Sequence, residues 1–68
     1  MRSELTTARA INRACDAYAV GGSGHPVYCT LPSSSGNSRV FRAKTVKGVL
    51  LIKDETGRWV VPEVVFTL

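Results

Sequence analysis

Ser38-Arg39-Val40-Phe41-Arg42-Ala43-Lys44-Thr45-Val46-Lys47 leads through Gly48 into Val49-Leu50-Leu51-Ile52. Residues 39–46 combine β-branched and aromatic side chains with cations, which is the composition of a half-exposed strand. Lys47-Gly48 marks a turn or a sharp bend, and Val49–Lys53 predicts an apolar strand buried on both faces. The stretch 38–47 holds four cations and no acid, whereas the other five cations are matched by five acids, so it carries the entire net charge of +4. Alternation predicts Phe41 and Ala43 inward, Arg42 and Lys44 outward, and Arg39 and Lys47 swinging out at the strand ends.

Downstream, Asp54-Glu55-Thr56-Gly57 has the chemistry of a hairpin turn with glycine at the left-handed position, and Arg58–Val61 is the returning strand. Pro62 cannot donate to a ladder and marks an edge, bulge or break before a last strand, Val64–Leu68. That strand offers an edge on which a second copy could pair to form a homodimer. Upstream, Leu5, Ala8, Ile11, Cys15 and Tyr18 recur at spacings of three and four, one helical stripe. Ser3 is the expected N-cap, with Glu4 in the first turn, and Gly21-Gly22 ends the helix. A flexible Gly21–Gly24 connector, a strand Val27–Leu31 and a mobile serine loop over 33–38 complete the order.

One helix followed by four to five short antiparallel strands predicts a single α+β domain over residues 1–68, with the N-terminal helix packed on a small antiparallel sheet. The alternative is a partly closed barrel. Residues 26–68 resemble Sm-like and SH3-like barrels in topology, with Gly48 as the bend of the second strand and Pro62-Glu63-Val64 as the break before the last.

The composition, 44% hydrophobic and 21% charged, is that of a globular chain, and a domain of 68 residues has a thin stability margin. No apolar run reaches the roughly 18 residues that span a bilayer, and Glu4, Arg9, Arg13 and Asp16 interrupt any signal-like segment. A cytoplasmic protein without membrane contact is expected, with Cys15 and Cys29 as free thiols. A pI near 9.6 suits nucleic acid, a membrane surface or an acidic protein and does not choose among them.

Chemistry beyond binding has little to stand on. Cys15, His25 and Cys29 supply three ligands at most and lack the close pairs of a structural zinc site, so no metal or cofactor is expected. One histidine and no nucleophile–base–acid set give no enzyme. Gly21–Gly24 follows a helix rather than a strand and is no phosphate loop. Tyr28, Phe41 and Trp59 are assigned mainly to the core, although they could stack on bases. The candidate binding residues are Arg39, Arg42, Lys44 and Lys47, with Arg9 and Arg13 on the helix as additions. The bland reading is a basic edge strand guarded against aggregation.

Thr45-Val46-Lys47-Gly48-Val49-Leu50-Leu51 followed by Gly57-Arg58-Trp59-Val60 resembles the C-terminal hairpin of a small protein among the type I-F anti-CRISPR inhibitors. The likeness covers about a quarter of the chain, and the helix and serine loop lie outside it. It implies a phage or mobile-element protein that blocks a nucleic-acid-guided host complex. The competing expectation is a module that binds nucleic acid directly, or a small transcriptional regulator.

Overall fold

The computed structural model describes residues 2–21 and 24–68; Gly22 and Ser23, within the expected connector, lie outside the described residues. One helix, α1 (Ala8–Ala19), stands with two antiparallel sheets. The first sheet has the order β1-β7-β2-β3, formed by Ser3–Glu4, Val64–Thr67, Val27–Thr30 and Asn37–Arg39. The second has the order β4-β5-β6, formed by Arg42–Val46, Val49–Lys53 and Trp59–Val60. The fold is α+β with a helix packed on antiparallel sheet, as expected, and the sheets do not close into a barrel. Among the described residues the strands number seven rather than four or five, because Ser3–Glu4 is a strand and the expected 39–46 strand is split.

The helix starts later than its stripe predicts. Thr7, extended at φ −122° and ψ 149°, is the N-cap, and its Oγ1 accepts from the Ala10 N–H at 3.1 Å. Ser3 and Glu4 instead pair with Thr67 and Phe66, and the Leu5 N–H donates to the Val65 carbonyl at 2.8 Å. A threonine cap further along lets the first residues satisfy one edge of β7, which a helix begun at Glu4 would leave open. The helix ends as glycine predicts, with Gly21 at φ 74° donating to the Tyr18 carbonyl at 3.1 Å.

The split at Val40–Phe41 organises the rest. The Val40 N–H still donates to Val27 in the first sheet at 2.9 Å, and the Phe41 N–H already donates to the Lys53 carbonyl of the second at 3.0 Å. Arg42 is the register partner of that same Lys53, so two residues oppose one, which is a β-bulge. The extra residue breaks the alternation. Val40 and Ala43, three apart, are both buried, at 2% and 4% exposure, while Phe41 is 49% exposed. The inward assignment thus holds for Ala43 and fails for Phe41.

Ile11, Val27, Cys29, Val40, Ala43, Ile52 and Val65 form the core, so helix and both sheets share one interior. Leu50 and Val60 pack against it from the second sheet. The other face of that sheet is open: Val49 and Lys53 are exposed and Leu51 is half-buried, so β5 is not buried on both faces. Asn12 fastens α1 to the free edge of β4. Its Nδ2 donates to the Ala43 carbonyl at 3.0 Å and its Oδ1 accepts from the Ala43 N–H at 2.7 Å. The side-chain amide pairs with the strand as another strand would, which guards this edge with an amide rather than a charge.

The turns obey local rules. Lys47 at φ 51° and Gly48 at φ 79° make a two-residue hairpin of the primed kind. In the next hairpin the Gly57 N–H donates to Asp54 at 3.0 Å and Gly57 adopts φ 84°. Asp54 Oδ1 accepts from the Thr56 and Arg58 N–H groups at 2.9 and 3.0 Å, and from Thr56 Oγ1 at 2.7 Å. The serine loop gives up its end to structure, since Asn37 and Ser38 pair with Thr30 and Cys29. β7 lies between β1 and β2, so neither of its edges is free for a second copy.

Candidate functional site

The bulge divides the cationic stretch between two surfaces. On β4, strict alternation resumes after Arg42, so Arg42, Lys44 and Val46 share the open face of the second sheet. Across the ladder, Val49, Leu51 and Lys53 share it from β5, and Trp59 from β6 as the partner of Lys53. Lys44 Nζ lies 4.1 Å from the centroid of the Trp59 ring and Lys53 Nζ lies 5.8 Å from it. Such contacts contribute about 0.5–1 kcal/mol each at exposed sites and hold the ammonium groups over the indole. Trp59 is 37% exposed and is a surface residue, not the core residue its sequence context indicates. Its neighbour Val60 takes the inward position opposite Ile52.

The other candidates are dispersed. Lys47 sits exposed in the hairpin at the end of the same sheet. Arg42 Nη1 donates to Asp16 Oδ1 of α1 at 3.2 Å, an exposed ion pair worth little on its own. Asp16 therefore pairs across to the strand rather than with Arg13. Arg9 and Arg13 are exposed on α1 and form no ion pair among the described residues.

Arg39 departs most from expectation. Its side chain does not swing out: the guanidinium carbon lies 5.2 Å from the Tyr18 ring centroid, 5.2 Å from Phe41 and 5.7 Å from Tyr28. Its Nε is buried with no acceptor. An unsatisfied buried donor costs about 1–3 kcal/mol, which three ring contacts of about 0.5–1 kcal/mol each can offset while leaving the Nε–H without a partner. Tyr18, expected in the core, is 41% exposed because it forms the outer wall of this arrangement. Tyr18, Arg39 and Phe41, together with Cys15, Asp16, Ala19, Val27 and Val40, line a cleft of about 260 Å³ between the last turns of α1 and the β3–β4 junction.

Both thiols are free. Burial pushes the Cys15 thiol up from its ordinary value, with the neighbouring Asp16 charge adding to the rise. Burial likewise raises Cys29. Each is a protonated thiol at neutral pH and a poor nucleophile. Among the described residues no three His, Cys, Asp or Glu side chains come together as a metal site, and no helix is long and apolar enough to cross a membrane.

Comparison with protein-family models, curated proteins and solved structures finds no match to this chain. Sequence reasoning missed Lys53 and Trp59 as partners of Lys44. The signal lay in the ladder: a charged turn of known type places Lys53 directly opposite Trp59, and Lys53 shares its face with Lys44.

Proposed function

We propose that this chain is a non-enzymatic binding protein whose working surface is the open face of the second sheet, where Trp59 lies beneath Lys44 and Lys53. The partner is an acidic surface on a protein complex. In the role that the hairpin resemblance implies, it is a cytosolic phage or mobile-element inhibitor docking on a host complex that handles nucleic acid. The carrying observation is an exposed indole with two ammonium groups over it, beside Leu51, Val46 and Val49. An apolar patch around one aromatic anchor, rimmed by charge, is the anatomy of a protein interface.

Direct binding of nucleic acid is the second reading, and the same lysine–tryptophan cluster favours it. Single-strand platforms stack successive bases on several aromatic rings, however, and this face carries only Trp59 among the described residues. Affinity capture with and without nuclease, repeated with Trp59→Ala and Lys44→Glu, separates the two. The inhibitor reading expects a protein partner that survives nuclease and is lost with Trp59→Ala, a cost of about 2 kcal/mol or more. The nucleic-acid reading expects binding to duplex DNA with a log–log salt slope of about −3 to −4, if Arg42, Lys44, Lys47 and Lys53 each neutralise one phosphate. A partner that binds equally well after both substitutions removes this face from consideration.

A further inference from the structure

We propose that the cleft between α1 and the β3–β4 junction is a separate ligand site for a small aromatic carboxylate, held by the Arg39 guanidinium. Arg39 has ring neighbours in Tyr18, Tyr28 and Phe41, but no ion pair among the described residues, and its Nε is buried without an acceptor. The rings sit against the guanidinium carbon, and among the described residues no hydrogen bond runs from its Nε–H to either tyrosine hydroxyl or to any other acceptor. A carboxylate supplies two acceptor oxygens in the geometry that a guanidinium fork matches. The remaining lining fits a flat apolar body: Val27, Val40 and Ala19 offer aliphatic walls, and the exposed rings of Tyr18 and Phe41 offer stacking surfaces.

Charge sets the ligand at one negative unit. Asp16, the one acid lining the cleft, is taken by Arg42 at 3.2 Å, and Glu55 reaches only the Arg39 backbone N–H at 3.3 Å, so the guanidinium has no ion-pair partner among the described residues. The volume of about 260 Å³ is several times the roughly 30 Å³ of a water and suits a single ring with its acid group rather than a nucleotide or a cofactor. The cleft holds none of the Lys44–Trp59 cluster, so this inference stands or falls apart from the docking face.

Benzoate is the probe, followed by NMR on the full chain labelled with nitrogen-15. The expected result is saturable shifts at the Cys15, Val40 and Phe41 amides and slower solvent exchange of the Arg39 Nε–H. Benzyl alcohol, which has the ring without the charge, and inorganic phosphate, which has the charge without the ring, should each bind at least about tenfold more weakly. Arg39→Lys, which keeps the charge and loses the fork, should weaken benzoate by a similar factor. Ala19→Leu, which fills the cleft and leaves Arg39 in place, should abolish the shifts while amides of β5 keep their positions. Lys44→Glu should leave benzoate binding intact even where it destroys docking. The proposal is overturned if benzoate gives no saturable shifts, if either control ligand matches it, or if Ala19→Leu binds it as the parent does.

Discussion

Arg39 and Lys44 lie five residues apart in one cationic stretch, and they have opposite surroundings. The β3 half belongs to the first sheet and turns its arginine into a cleft walled by aromatic rings. The β4 half belongs to the second sheet and lays its lysine over an exposed indole. Between them stands the Phe41–Arg42 bulge, where one extra residue changes which positions face the core. The lesson is that a run of like charge in sequence is not a patch in space. Charges that look contiguous were separated by a change of sheet, and Lys53 and Trp59, which look remote, joined the face.

The strongest way to break this comparison is to attack what keeps the inner positions inner. Ile52 is fully buried on β5, so Ile52→Ala should cost about 2–5 kcal/mol in a denaturant titration. A chain of 68 residues has only about 3–10 kcal/mol in all, so partial unfolding at room temperature is expected. Leu51→Ala, on the outward face next to it, should cost visibly less. Equal losses would mean that the second sheet is covered on both sides.

Asn12→Ala is the next test, since it strips the amide that holds β4 to α1. Leaving the Ala43 N–H and carbonyl without partners should cost about 1–3 kcal/mol and speed hydrogen exchange at Ala43. Gly24→Ala probes the packing of the chain against the helix end. A Cβ there would stand 2.9 Å from the Tyr18 nitrogen and 3.0 Å from the Ala17 carbonyl carbon, both backbone atoms that move only with the helix. A loss of about 1–3 kcal/mol in thermal unfolding is expected.

Smaller effects sharpen the outer face. Lys47 has φ 51° in the hairpin that ends the second sheet, a conformation asparagine tolerates better than lysine. Lys47→Asn should raise stability by up to about 1 kcal/mol while removing one cation from the docking face. Unchanged partner binding would then exclude Lys47 from the interface. The least effect is expected from acid. The Thr56 hydroxyl and the Arg58 and Thr56 N–H groups hold the Asp54 carboxyl below its ordinary value. A lowered folded value means that the contribution is complete above the unfolded value of about 3.9 and is lost as pH falls through the folded one. Asp54→Asn should therefore lower stability slightly at neutral pH and abolish its fall in that acid window.

Local chemistry was legible in the chain and long-range pairing was not. The helix stripe, the glycine stop, the Lys47-Gly48 turn and the Asp54–Gly57 turn each depend on residues within a few positions of one another. Their conformations follow from side-chain sterics and nearby hydrogen bonds. Ser3-Glu4 became a strand because β7 needed a partner, and no neighbour in sequence reveals that need. Tyr18 sits on the helix stripe, yet the helix end overhangs the cleft, so its ring packs on Arg39 and stays exposed. The candidate site was half legible for the same reason. Arg42 and Lys44 were placed outward by alternation that the bulge leaves intact beyond residue 42, whereas Trp59 reads as core until its pairing with Lys53 is known.

By itself the sequence determined a small basic α+β chain, its turns, its helix and the stretch that carries its charge excess. Those properties are set by composition and by interactions between near neighbours. Only the tertiary structure decided which cations face outward together. A bulge of one residue inverts the facing of everything before it, and the choice of sheet is made by partners tens of positions away.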